Sequence, residues 1–201
     1  MDARASKPVI RAEVIARTLA LDPGVRLDEQ AALEERFETL PGLSQAGTVL
    51  LYASAFPEEV ETGPFLRRVL EADQRLVLPI VDRRLGSLRL AEVLDPSRDL
   101  IASRRGIPEP RQGLRPVGPG EVDWILVPGL AFDAEARRLG RGAGHYDRLL
   151  PRLRPEVHRW ALIFSTQWVD SLPVEPHDQP LDGVVSAHRM VLHGPGKRLN
   201  R

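Results

Sequence analysis

The 201-residue chain has no cysteine, which excludes disulfides, thiolate nucleophiles and cysteine-based zinc sites. It has no apolar run approaching the ~20 residues of a membrane span, and its first residues lack the apolar stretch of a secretion signal. The expectation is a cytoplasmic protein with no membrane partner. Net charge is lacking too: 28 basic and 28 acidic side chains cancel, which argues against a nucleic-acid partner held by bulk electrostatics. Lysine is scarce, with only Lys7 and Lys197 among the basic residues. In a chain that otherwise uses arginine, a lysine marks a position suited to a compact ammonium. Lys197, in the polar stretch G-P-G-K-R-L-N-R, reads as solvated. What is present, 42% hydrophobic and 28% charged residues, is the composition of an ordinary globular domain. The expectation is one domain over residues 1–201, with a polar tail from about residue 190.

Periodicity supplies the elements. Ser6 is placed to cap a helix beginning Lys7-Pro8 and running to about Ala20, with Asp22-Pro23-Gly24 breaking it. On that helix Lys7 and Arg11 share a face, either as a solvated basic surface or as a paired contact. A second amphipathic helix is expected over 27–40 and a third over 64–72. The runs 48–53, 75–81, 124–129, 160–165 and 182–186 read as buried strands, and 86–93 alternates like an exposed one. Between Asp95 and Gly120 periodicity is weak, and Arg104, Arg105 and Glu109 sit among prolines, in either a functional or a connecting loop. Trp124, Trp160 and Trp168 are expected in the core. Strands alternating with helices imply an α/β protein: three α/β/α layers around a mostly parallel sheet.

The stretch R-L-G-R-G-A-G-H-Y-D-R, residues 138–148, stands out. Gly140, Gly142 and Gly144 permit positive φ and close approach of a ligand to the backbone. Arg138, Arg141 and Arg148 surround them with positive charge, and Asp147 offers one carboxylate to a divalent cation. A phosphate cradle has this composition, and so has a flexible surface turn. It matches neither the Walker A nor the dinucleotide fingerprint. Upstream, the loop 54–63 follows a buried strand and carries Phe56, Glu58, Glu59 and Glu61, where open α/β sheets bind ligands.

Five segments in order, E-V-E-T (59–62), G-I-P-E-P (106–110), V-P-G-L-A-F-D (127–133), the glycine loop and L-P-V-E-P-H-D-Q-P-L-D (172–182), give the chain a resemblance to the 5-formyltetrahydrofolate cyclo-ligase family. The resemblance implies a fold similar to ribose-phosphate isomerases and CoA transferases. It also implies ATP- and Mg²⁺-dependent conversion of 5-formyltetrahydrofolate to 5,10-methenyltetrahydrofolate by a monomer or homodimer. It implies ATP contacts at Lys7, Arg11 and the run Arg138, Leu139, Gly140, Arg141, Gly142, Ala143, Gly144, His145 and Tyr146, with Arg141 and Tyr146 catalytic. Folate contacts fall on Phe56, Glu61 and Tyr146, and metal contacts on Asp147 and Asp182. Lys7 and Arg141 are expected to be exposed until ligand binds. The chain departs from the family's pattern at Pro8, Arg105, Ala143 and His145. A non-catalytic relative that keeps the cradle, and a sugar-phosphate isomerase on a related fold, are the competing readings. His145 and His177 are expected to pack or to hold loops together.

Overall fold

A computed structural model describes residues 6–82, 84–103, 106–176 and 178–193. The expectations for Arg104, Arg105, His177 and Lys197 lie outside the described residues.

Helix α1 (Lys7–Leu19) carries Pro8 in its first turn, where a missing N–H costs nothing. Helix α2 (Pro23–Phe37) begins four residues before the expected start. Asp22-Pro23-Gly24 ends one helix and starts the next, because the Asp22 carboxylate accepts from the amides of Gly24 and Val25 at 2.8 and 3.2 Å. The chain then passes through β1 (Thr48–Leu50), α3 (Gly63–Glu71), β2 (Arg75–Asp82), β3 (Ser87–Glu92) and α4 (Pro96–Asp99). A hairpin of β4 (Leu100–Ala102) and β5 (Pro108–Pro110), then β6 (Pro116–Val117), give structure to the stretch that lacks periodicity. After β7 (Trp124–Leu126) come a small hairpin of β8 (Ala131–Phe132) and β9 (Arg138–Leu139), helix α5 (His145–Leu149), β10 (His158–Leu162), β11 (Gly183–Val185) and β12 (Met190–Leu192). Residues 190–192, expected in a polar tail, form the edge strand antiparallel to β11.

One eight-stranded sheet runs in the order β12-β11-β10-β7-β1-β2-β3-β6. Its five central strands are parallel and its outer strands antiparallel. The central strands send alternate residues to opposite faces, the period-two geometry of a pleated strand. Val49, Leu51, Leu76, Leu78, Trp124 and Trp160 pack under α2 and α3 with Phe37 and Phe65. Leu50, Val77, Ile125 and Ala161 meet Leu149, Leu150 and Leu153 on the other side. This is the expected three-layer α/β/α arrangement. Helix α1 lies apart, its Ile10 and Val14 packed on Ala131 and Leu139 of the β8–β9 hairpin. Strand β3, expected to be exposed, buries Leu88, Leu90 and Ala91; its neighbours β2 and β6 and the contact with α5 cover it. Trp124 and Trp160 are fully buried. Trp168 is only half-buried, with its indole N–H on the Ser186 hydroxyl at 3.1 Å and Arg189 stacked on its ring.

Candidate active site

Open α/β sheets gather ligands where the chain leaves the carboxyl ends of parallel strands. Here the segments following β1 and β7 contribute Tyr52, Ala53, Pro128 and Gly129 to a cavity of about 370 Å³. The glycine loop from Arg138 to Asp147 forms one wall, and α1 sends Lys7 and Arg11 into the same space. An apolar part of the lining comes from Pro79 and Val81 of β2, Leu88 of β3, and Ile107 and Pro108 of the β4–β5 hairpin.

The glycines are used as their type suggests. Gly142 and Gly144 take left-handed φ of +98° and +65°, conformations in which an L side chain is strained. A Cβ on Gly144 would also stand 2.9 Å from Nη1 of Arg148. Arg11 donates from Nε to the Gly140 carbonyl at 2.8 Å, and its guanidinium lies 3.5 Å from where a Gly142 Cβ would be. The loop and α1 are thus joined through one arginine, with the far side of its guanidinium turned along the loop backbone.

Arg138 is the most buried of these cations, its side chain 4% exposed. It pairs with the Asp147 carboxylate and donates to the Pro128 carbonyl at 3.4 Å. Its Nε is buried without a hydrogen-bond partner. Arg141 pairs with Glu58 at 2.7 Å and stacks on Phe56, 3.7 Å from the ring centroid, tying the loop after β1 to the glycine loop. Lys7 lies 3.1 Å from Asp178 and 3.2 Å from Glu175. Lys7 and Arg141 are both held in ion pairs; Arg141 is exposed as expected, whereas Lys7 is only 18% exposed. Acidic neighbours neutralise these cations while no anion is bound.

Tyr146 lines the cavity together with Tyr52, a residue that sequence reasoning passed over as part of a strand. Burial pushes both phenols above their ordinary pKa, and the Glu59 carboxylate adds to it in each case; Arg138 opposes the shift at Tyr146. Both stay neutral near pH 7 and so can donate hydrogen bonds. His145 lines the cavity with its Nδ1 3.0 Å from the Gly86 carbonyl. The same Nδ1 lies 3.3 Å from Nη2 of Arg148. Arg148 donates to the same carbonyl and to Ala143 O at 2.9 and 2.7 Å, bracing the loop against the β2–β3 hairpin.

Two expected residues are not gathered here. Glu61 is exposed and does not line the cavity, its amide and carbonyl being held by Gln30 of α2; Glu59, two residues earlier, reaches the cavity instead. Asp182 precedes β11, at the amino end of the parallel strands and so away from the site. Its carboxylate accepts from the Arg159 amide at 2.8 Å, which registers β10 against β11 and leaves Asp147 without this partner for a metal. Among the described residues, no group of three or more His, Cys, Asp or Glu is placed to cage a metal ion. Phe56, Leu139, Ala143 and the remaining glycine-loop positions all line the cavity. Glu109, Glu175 and Asp178 also line it. Each lies in a segment that stands out in the sequence, Glu109 in G-I-P-E-P and Glu175 and Asp178 in L-P-V-E-P-H-D-Q-P-L-D, though none was expected at the site.

A mixed cavity at the carboxyl edge of an α/β sheet, lined both by a cation-ringed glycine loop and by apolar residues, defines a small-molecule site for an anion and a flat organic ring. The family model described as the 5-formyltetrahydrofolate cyclo-ligase family matches residues 3–187. The chain belongs to that family and is an enzyme of its type. It is 31% identical to the 5-formyltetrahydrofolate cyclo-ligase of Escherichia coli K12 over 176 residues, 87% of this chain and 95% of the relative. It is 30% identical to that of Mycolicibacterium smegmatis over 190 residues, covering 93% and 96%. The solved 5,10-methenyltetrahydrofolate synthetase of Aquifex aeolicus superposes with a TM-score of 0.82 at 31% identity, covering 97% of this chain and 96% of that one. That of Mycoplasma pneumoniae gives 0.73 at 21% identity, over 92% and 100%, a likeness of fold.

Proposed function

We propose that the chain converts 5-formyltetrahydrofolate to 5,10-methenyltetrahydrofolate at the expense of ATP with Mg²⁺. The observation that carries this reading is that one cavity is lined both by the cationic glycine loop and by apolar residues, with Tyr146 in contact with each through Arg138 and the cluster that includes Leu88. ATP supplies a phosphoryl group that turns the formyl oxygen into a leaving group, so that N10 closes the ring and phosphate departs, while Mg²⁺ neutralises phosphate charge.

The residues present fit that use. Arg138 has a buried Nε without a partner, a donor that a phosphate oxygen would satisfy. Lys7, Arg11 and Arg141 surround the left-handed turn at Gly142, where the backbone is bare enough for phosphate to approach. We assign Lys7, Arg11 and the Arg138–Tyr146 loop to ATP, and Arg141 to charge on the transferring group. Exchange of its carboxylate partner Glu58 for phosphate would move a full counter-charge out of the way. Tyr146, neutral and in contact with both parts of the lining, donates a hydrogen bond near the formyl oxygen. Phe56, once released by Arg141, offers a ring face to the folate. Asp147 would be the carboxylate that holds the metal. A magnesium ion bound chiefly by nucleotide phosphates and water needs only one or two protein carboxylates, so the lack of a protein cage is compatible with it.

The reading is tested by nucleotide turnover. Purified protein with Mg-ATP should release ADP only when 5-formyltetrahydrofolate is added, one ADP per folate consumed. ADP release independent of folate, or turnover of a sugar phosphate without ATP, would refute it.

A further inference from the structure

The loop 54–62 delivers Phe56 and Glu59 to the cavity and Glu58 to Arg141, and much of what holds it lies outside the cavity. Its ends are tied by Ser54 and Thr62: the Thr62 hydroxyl accepts from the Ser54 amide at 2.8 Å, and the Ser54 hydroxyl from the Thr62 amide at 3.1 Å. Its turn is fixed from within, the Glu59 carboxylate accepting from the amides of Ala55 and Phe56 at 2.9 and 3.3 Å. Helix α2 grips it from behind with Arg26 and Gln30, one turn apart on the same face. Arg26 donates to the carbonyls of Pro57 and Glu59. Gln30 holds both backbone polar groups of Glu61: Nε2 donates to the carbonyl and Oε1 accepts from the amide, each at 3.0 Å. Nε2 also donates to Glu34 Oε1 at 3.0 Å, which sets which end of the side-chain amide faces which group.

Gln30 is buried, 8% exposed, and does not line the cavity. An apolar side chain would fill the same place without drawing an amide out of water. What the glutamine adds is direction, because an amide bonded through both its oxygen and its nitrogen admits one placement of the loop. We infer that Gln30 is a positioning residue for the reaction: without touching either substrate, it sets where Phe56 meets the folate and where Glu58 meets Arg141. Between Glu61 and the cavity residues stands Val60, 2% exposed in the core under α2 and α3. A shift of the Glu61 backbone is therefore passed on to Phe56 and not absorbed in a slack segment. A displacement of about 1 Å at a substrate contact is enough to cost a large factor in turnover. The inference rests on the folate reading above, through Phe56.

The test is a double-mutant cycle between Gln30 and Phe56. Gln30→Met keeps the length of the side chain and removes both bonds to Glu61. Gln30→Glu keeps the acceptor for the Glu61 amide but turns a carboxylate towards the Glu61 carbonyl and Glu34, and it carries the cycle if the methionine variant does not fold. Each is made in wild type and in Phe56→Ala, and kcat, KM for 5-formyltetrahydrofolate, KM for ATP and Tm are measured. In wild type either substitution should raise KM for 5-formyltetrahydrofolate about tenfold. KM for ATP should stay within about threefold and Tm within about 5 °C, because Arg26 and the Ser54–Thr62 tie still hold the loop. In Phe56→Ala, whose KM for the folate is already raised, the same substitution should add less than about twofold. An unchanged KM for the folate, a fall in Tm alone, or the same factor in both backgrounds, from a wild type that turns over, would overturn the assignment of Gln30 alone. Wild type that forms no methenyl product would overturn the underlying reading with it.

Discussion

Asp147→Asn should destabilise the protein markedly although Asp147 lies in a loop. The substitution keeps shape and removes charge from the one carboxylate paired with Arg138, whose side chain is 4% exposed; Asp147 itself is 19% exposed. Breaking a fully buried ion pair by neutralising one partner costs about 3–5 kcal/mol, because the other charge stays buried without compensation. Asparagine can still accept one hydrogen bond from Arg138, and the exposure of Asp147 admits some solvent screening, so about 2 kcal/mol is expected here. With a urea m-value of about 2 kcal/mol/M for a domain of this size, the midpoint should fall by about 1 M with m unchanged. The measurement is urea unfolding followed by tryptophan fluorescence. Phosphate or ATP should recover part of the loss, since an anion can replace the missing carboxylate beside Arg138. A midpoint shift under about 0.2 M, or no anion-dependent recovery, would refute the view that Arg138 is a buried cation neutralised by Asp147 until phosphate arrives.

Gly183→Ala should cost about 1–3 kcal/mol with little effect on KM, because a Cβ there would stand 2.3 Å from the Trp160 ring in the core; urea unfolding checks it. Both tyrosines of the chain have raised pKa values, so the native protein should show no phenolate absorbance as pH passes about 10, whereas the denatured protein titrates there. A folded pKa raised above the unfolded value means that stability is fully present below about pH 10 and is lost as pH rises from there through the folded pKa; an early phenolate signal in folded protein would contradict the burial argument. Lys7→Ala should raise KM for ATP at least about tenfold. It should also lower stability modestly, because Asp178 and Glu175 lose their shared counter-charge; steady-state kinetics and a thermal melt separate the two effects.

The central strands were legible because burial on both faces leaves near-continuous apolar runs, as in Val49-Leu50-Leu51 and Leu76-Val77-Leu78. Strand ends were less so: β1 and β7 stop before their apolar runs do, since the chain bends at the carboxyl edge to form the cavity floor while Tyr52 and Val127 stay buried. The start of α2 was hidden because Asp-Pro-Gly serves both as a helix breaker and as a capping sequence, and only the Asp22 hydrogen bonds decide between the two. Short strands β4, β5 and β6 escaped periodicity because two- and three-residue ladders with proline carry almost none. At the site, composition pointed to the glycine loop and to the Lys7–Arg11 face, both of which reach one cavity. Glu61 and Asp182 were misplaced for a local reason: neighbouring carboxylates are indistinguishable in a motif, and backbone partners fix which one turns inward. The charge balance inside the site, with Lys7, Arg138 and Arg141 each held by an acidic residue, joins residues up to 171 positions apart and has no signature in sequence.

The most direct measurement is growth of the methenyl chromophore. When the protein is mixed with 5-formyltetrahydrofolate and Mg-ATP, absorbance of 5,10-methenyltetrahydrofolate should rise at a rate proportional to enzyme, and it should stay flat when ATP is withheld. A flat trace with ATP present, from protein that still binds ATP and folate, would contradict the account.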